Sequence, residues 1–385
     1  MTRIEDDWLS APGLRAVTGV LEAAGHQVFA VGGCVRDTLL GLPISDVDLS
    51  TDAEPDTVER LMAEAGLRTV PTGKAHGTIT VVIDGVSYEV TTFRRDVATD
   101  GRRATVAFAR TIAEDAARRD FTINALYVDP RGDVHDPLGG LPDLRAQRVR
   151  FIGVPMDRIR EDYLRILRFF RFSARFSGGE IDAEGLAACA EEQEGLDTLA
   201  AERITQEMSL LLATANPAPA VAAMASTGIL GRILPGADPR HLAPVVHLEA
   251  GAALAPSWHR RIAALGGERD GLRLSRADEK NFAQAEAALS TTRSPAARAY
   301  LHGADAAWTA ALMEAALLAA PVPPGTAAEI ARGADQTFPL RASDLPHLEG
   351  PELGKALKEL ETRWIDSDFL LDKAALLAVG IQSKA

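Results

Sequence analysis

Two aspartates, Asp46 and Asp48, stand two residues apart in the run VGGCVRDTLLGLPISDVDLS at 31–50. Residues two apart on a strand share a face, so both carboxylates point the same way and can share a divalent metal. Such hard oxygen ligands suit phosphoryl transfer, in which cations stabilise the attacking and leaving oxygens of an in-line displacement. Upstream, Gly32 and Gly33 end an apolar stretch without side chains, which lets main-chain N–H groups approach a triphosphate, and Arg36 adds a cation. A Gly-Gly pair alone is a common turn, and Asp-x-Asp alone is commonly a solvated face. Their order on one strand–turn–helix–strand unit is what points to chemistry.

Three further segments carry candidate groups. Glu89 lies in SYEVTTFR, and it is either a third metal-site carboxylate, if its strand neighbours 46–50, or a charge on an exposed sheet face. RRDFTINAL at 118–126 places Arg118, Arg119, Asp120 and Asn124 between a helix and a strand. There arginine suits phosphate oxygens, while Asp and Asn suit ribose hydroxyls. In EDYLRILRFFRFSARF, 161–176, Arg165, Arg168, Arg171 and Arg175 form one cationic stripe at helical spacing. Asp162 and Arg165, three apart, read as neighbours on that helix. An Asp acceptor beside an Arg donor can read a base edge, although a plain surface ion pair has the same spacing.

These groups need elements to hold them. Residues 7–24 predict a helix, 27–31 a strand, 35–41 a short helix, 46–50 a strand and 56–65 a helix. Thr78–Asp84 and Val86–Phe93 predict a hairpin about Gly85. The segment 94–105, rich in Arg and Asp, predicts an exposed loop, followed by a helix at 112–119 and a strand at 125–129. Beyond about 155 the strand signal gives way to helical periods, broken at Pro235, Pro239, Pro244, Pro256 and PVPPG, 321–325.

At 385 residues the chain has room for two or three packed units, and 46% hydrophobic with 25% charged residues is ordinary globular composition. No 18-residue apolar segment or basic-plus-apolar leader is present, so a cytoplasmic protein with no membrane partner is expected. Cys34 and Cys189 alone exclude a disulfide framework and a multi-cysteine zinc site. The net charge of −13 runs against nucleic-acid binding. Arginines nevertheless gather between Arg94 and Arg175, consistent with a basic groove on an acidic body.

Taken in order, GGCVRD, DVDL, YEVTTFR, RRDFTINAL, DPLGGLPDL and EDYLRILRFFRF resemble the motif set of class II CCA-adding enzymes and bacterial poly(A) polymerases. The resemblance implies an α+β fold: a nucleotidyltransferase head with a small mixed sheet at 1–150, a helical neck at 151–215 that recognises the base, and a helical body and tail at 216–385 that bind tRNA. It implies that Asp46 and Asp48 hold Mg²⁺. Arg118, Asp120 and Asn124 would contact triphosphate and ribose, and Asp162 and Arg165 would select CTP and then ATP, with Gly32, Gly33, Arg36 and Arg168 completing the nucleotide site. The segment 94–106 is similar to the family's flexible element, and Tyr163 and Ala104 stand where the family usually has Pro. The implied activity is addition of C and A to the 3′ end of tRNA, with an A-adding enzyme or poly(A) polymerase as the alternative.

Overall fold

The computed structural model describes residues 2–100 and 103–382 and divides into two compact units, 1–233 and 234–385. The first opens with a 3-10 turn at Asp7–Ser10, and Pro12, whose fixed φ suits a first helical turn, then starts α1 (Pro12–Ala23). There follow β1 (Val28–Val31), α2 (Gly33–Leu39), β2 (Asp48–Thr51), α3 (Pro55–Glu64), β3 (Arg68–Gly73), β4 (Thr78–Ile83) and β5 (Val86–Thr92). Next come β6 (Arg94–Asp100), β7 (Arg103–Phe108), α4 (Ile112–Ala117), β8 (Tyr127–Val128), β9 (Val134–His135) and α5 (Gly140–Arg145). Among the described residues the main sheet runs β3-β4-β5-β2-β1-β8-β9, with β2 and β5 parallel and the other neighbours antiparallel. This is the mixed sheet of an α+β head.

The β4–β5 hairpin forms about Asp84 and Gly85, both at positive φ as a two-residue turn requires. Two expectations change. The strand expected over 46–50 begins only at Asp48, leaving Asp46 on the approach loop. The loop expected over 94–105 is instead the antiparallel pair β6–β7, a separate two-stranded sheet; Gly101 and Arg102 lie outside the described residues. β3, with charged and Pro residues breaking its alternation, was not anticipated.

Helices α6 (Pro155–Glu161), α7 (Leu164–Phe176), α8 (Ala183–Glu191), α9 (Ala201–Leu212), α10 (Ala218–Ser226) and α11 (Ile229–Ile233) complete the first unit. The seam between α7 and the sheet domain is aromatic. Phe121 and Phe151 pair across a short bridge, and Phe169 stacks on Phe151 at 5.3 Å while Phe172 lies 5.2 Å from Phe121. Phe121, Phe151 and Phe169 are fully buried, each worth about 1.5–3 kcal/mol relative to exposure. Anything carried on α7 is therefore fixed relative to the segment Arg118–Asn124.

The second unit is helical: α12 (Leu242–Gly251), α13 (Trp258–Leu265), α14 (Arg276–Leu289), α15 (Pro295–His302), α16 (Ala304–Leu317), α17 (Thr326–Ala334), α18 (Gly350–Asp366) and α19 (Lys373–Gln382). Small residues line buried α16, which lets its neighbours approach closely. Glu249 is buried between Arg260 and Arg261, accepting one 2.8 Å bond from each Nε. No helix among the described residues is long and apolar enough to cross a membrane.

Candidate active site

Because β2 and β5 are parallel with Asp48 and Glu89 as register partners, the two side chains leave the same face of the sheet. Both residues are exposed, while the next pair along, Leu49 and Val90, is buried in the core. The condition for Glu89 to join the carboxylates is thus met. Asp48's carboxyl is pushed above its ordinary range, first because protein crowds it away from water, then by the charges of Glu89 and Asp46; only Arg119 opposes them. Like charges held together in this way are stabilised by a bound cation, and oxygen ligands on adjacent strands suit a hard divalent metal. As they stand, no three His, Cys, Asp or Glu residues among those described converge into a closed metal cage. Cys34 lies beneath Asp48, its thiol pushed up to about 11 by burial and by Asp48's charge, so it stays protonated and inert.

Gly32 links β1 to α2 at φ 76°, ψ −117°, a conformation that side chains resist. Its N–H is held by Leu126 O at 3.1 Å, and a methyl group there would meet Arg119 Nη1 at 3.5 Å. The Gly32–Gly33 turn therefore faces Arg119. Arg36, the expected cation of this turn, stays beside it, with Nη2 3.9 Å from where a Gly33 side chain would begin, but its guanidinium is committed to protein partners. It is buried, donates to Asp37 Oδ1 at 2.8 Å and Asn124 Oδ1 at 2.5 Å, and packs its guanidinium 4.2 Å from the centre of Phe176.

The two arginines of RRDFT are positioned by Asp115, a residue the motif reading did not single out. Its side chain is fully buried and accepts from Arg118 Nε at 2.9 Å, Arg119 Nη2 at 3.0 Å, Tyr127 Oη at 2.8 Å, Ser50 Oγ at 3.3 Å and Arg94 N at 3.2 Å. Burial alone would raise this carboxyl, but Arg119, Arg118 and the Tyr127 hydroxyl outweigh it and hold it at about 2. The spacing of 115 to 118 and 119 was a usable signal, since residues three and four apart adjoin on a helix.

Asp120 is saturated. Oδ1 accepts from Phe121 N at 2.8 Å and Asn124 Nδ2 at 2.9 Å, and Oδ2 accepts two bonds from Arg168, at 2.8 and 2.5 Å. Those four donors occupy all its acceptor sites. The cationic stripe of α7 is likewise neutralised: Arg165 pairs with Glu161, Arg168 with Asp120, Arg171 with Glu207 on α9, and Arg175 with Asp37.

Asp162 and Arg165 do not share one helix as expected. α6 ends at Glu161, Asp162 is extended at φ −157°, and α7 starts at Leu164, whose N–H the Asp162 carboxylate accepts at 3.1 Å. An Asp that caps its own following backbone competes with the helix and breaks it. Asp162 pairs with Arg203 of α9. Arg165 donates to Glu161 at 2.6 Å, Arg158 O at 2.9 Å and Arg118 O at 3.0 Å, and those bonds leave its Nε–H and one Nη2–H uncommitted. With Arg158 reaching Ala117 O at 2.8 Å, two cations meet the carbonyl end of α4, where the helix dipole favours them. Arg165 is thereby anchored next to Arg118, while Asp162 is held by Arg203.

Residues 28–150 match the model of the poly A polymerase head domain, and 179–240 match a probable RNA and SrmB-binding site of polymerase A. Human mitochondrial CCA tRNA nucleotidyltransferase 1 is 41% identical over 53% of this chain and 48% of its own length. The CCA-adding enzyme of Levilactobacillus brevis is 42% identical over 56% of this chain and 53% of its own. The chain thus spans about half the length of the curated relatives it matches. Across 97% of its length it follows the Bacillus stearothermophilus CCA-adding enzyme solved with CTP, which is covered to 98%, at 27% identity and a TM-score of 0.80. The Thermotoga maritima CCA-adding enzyme complexed with tRNA_CCA shares the fold at 20% identity and a TM-score of 0.70, with both chains fully covered. With Asp48 and Glu89 on one face of its sheet, the segment 28–150 is a poly A polymerase head domain, and the chain as a whole follows the fold of solved CCA-adding enzymes.

Proposed function

We propose that this protein is a cytoplasmic nucleotidyltransferase that adds C and A nucleotides from CTP and ATP to the 3′ end of tRNA without a nucleic-acid template, releasing pyrophosphate. The observation that carries it is the pairing of Asp48 and Glu89 on one face of the sheet, within reach of the charges of Asp46 on the approach loop and of Arg119, which the Asp115 hub fixes together with Arg118. The names of the matched relatives, and the CTP in the Bacillus stearothermophilus structure, support the substrate class.

In this reading Asp46 and Asp48, with Glu89 as a third carboxylate, hold Mg²⁺, which when bound neutralises charge on the triphosphate and the attacking hydroxyl. The Gly32–Gly33 turn gives the triphosphate close access to main chain, and Arg118 and Arg119 meet its negative charge as it builds towards the leaving pyrophosphate. Asn124 and Arg168 face the ribose, oriented by Asp120. Asp162 accepts from the exocyclic amine of C or A while the free donors of Arg165 meet the neighbouring ring nitrogen; U and G present the reverse order. Positioning of this kind supplies most of the acceleration in phosphoryl transfer. The head at 1–150 carries the reaction, the neck at 151–215 reads the base, and the body and tail at 216–385 hold tRNA.

The test is to incubate the protein with tRNA lacking its last three nucleotides and to sequence the 3′ ends. CTP alone should give two added C residues, and CTP with ATP a complete CCA end. Addition of a single A only to tRNA already ending in CC, or long A tracts from ATP alone, would identify the A-adding or poly(A) alternative instead.

A further inference from the structure

We infer that Arg203, together with Tyr163 seated on Gly195, sets the position of the Asp162 carboxylate and thereby the choice of base; this rests on the reading of Asp162 as the base-edge acceptor.

Asp162 hangs on a break of two residues between α6 and α7, where no helix fixes its side chain. The terminal torsion of an aspartate is broad, so a lone carboxylate there would rotate freely. Arg203 removes that freedom with a two-pronged pair, Nη1 to Oδ1 at 3.2 Å and Nη2 to Oδ2 at 2.7 Å, which fixes the carboxylate plane. Oδ1 also accepts from Leu164 N. Of the four acceptor sites of a carboxylate, these bonds use three, and the one left is on Oδ2. Asp162 and Arg203 are 32% and 33% exposed, so that last site remains open to a ligand.

The order of donor and acceptor along the base edge makes position decisive. C and A present an amine donor beside a ring acceptor, whereas U and G present a carbonyl beside a ring N–H. An acceptor held opposite the exocyclic position rejects U and G. The same carboxylate, free to swing by one atom, can accept the ring N–H of U or G.

The segment that supplies Arg203 grips the break on both flanks. Arg160, before it, pairs with Glu192 at 2.5 Å. Tyr163, after it, lays its ring against the backbone of the 3-10 turn Gln193–Thr198 at Gly195, so closely that any side chain at 195 would overlap the ring. Tyr163 and Gly195 therefore work as a matched pair, and a tyrosine at 163 requires a glycine at 195.

The experiment measures kcat/KM for CTP, ATP, UTP and GTP on tRNA lacking its last three nucleotides, for wild type, Arg203→Met, Arg203→Lys, Gly195→Ala, Tyr163→Ala and Tyr163→Phe, with thermal unfolding of each. The CTP/UTP and ATP/GTP ratios should fall on the order of tenfold in Arg203→Met and Gly195→Ala, the size of one base-edge hydrogen bond. Tyr163→Ala, which removes the ring without an overlap, should show a smaller fall and serves if Gly195→Ala does not fold. Tyr163→Phe should keep the wild-type ratios, and Arg203→Lys should recover part of the loss. A parallel fall for all four nucleotides, or unchanged ratios in Arg203→Met, overturns the inference. Wild type that adds neither C nor A overturns the proposed function instead, and equilibrium binding of CTP against UTP to wild type and Arg203→Met then still decides the role of Arg203.

Discussion

Asp48 and Glu89 are direct register partners on parallel strands, so a carboxylate from each of two separate segments stands on the same face of the sheet. If Glu89 shares the cation with Asp46 and Asp48, Glu89→Gln should raise the Mg²⁺ concentration for half-maximal transfer by about tenfold, the loss expected when one support of a metal site is removed. Asp48→Ala should abolish transfer with the fold intact. A Mg²⁺ titration of Glu89→Gln that overlays wild type would make Glu89 a plain surface charge.

Asp115 should dominate part of the acid limb of stability. Its folded carboxyl sits at about 2 against an ordinary 3.8, so it is depressed. The stability it contributes is present above about pH 4 and is lost as pH falls through about 2. The shift corresponds to about 2 kcal/mol for this fully buried group. Asp115→Asn should therefore be less stable by that order at pH 7 and should show a flatter loss between pH 4 and pH 2. Urea denaturation across that range checks it; equal pH slopes for the two proteins would remove Asp115 from the account.

Arg36 was expected to meet phosphate, and its burial predicts a different phenotype. Removing it would leave Asp37, 10% exposed at its side chain, without its inner partner and leave the Phe176 ring with Arg175 as its remaining cation. Unfolding measurements on Arg36→Met should show a loss of roughly 3 kcal/mol, as for one half of a buried ion pair. A stable variant with only a raised KM for nucleotide would restore Arg36 to the triphosphate.

Much of this site was readable because its chemistry lies in short local patterns. Gly32–Gly33, Asp-x-Asp at 46–48 and the RRDFTINAL segment each declare themselves by residue type, and an apolar run and two β-rich runs about Gly85 placed β1, β4 and β5 closely. What the sequence hid is tertiary pairing. The arginine stripe of α7 has helical spacing whether it faces water or carboxylates, and only the fold reveals Asp37, Asp120 and Glu207 opposite it. The break at Asp162 was masked for a similar reason: EDYLRILRFF is continuous in helical propensity, and one side-chain bond to Leu164 N overrides it. The segment 94–105 read as a loop because its Arg- and Asp-rich sequence has little apolar content to mark a strand.

In the proposed reading, Arg165 is the partner that Asp162 needs in order to read a base. Three of its N–H groups are spent on Glu161, Arg158 O and Arg118 O, which hold the guanidinium rigid while two stay free. Arg165→Ala should therefore collapse discrimination of CTP over UTP and of ATP over GTP, by roughly 1–3 kcal/mol for a lost base-edge pair. Glu161→Gln keeps the shape but weakens the anchor, so its selectivity should fall less, and in the same direction. Competition assays with mixed nucleotides on shortened tRNA measure both. If Arg165→Ala kept the wild-type preference while losing overall rate, the guanidinium would be holding Arg118 in place rather than reading the base.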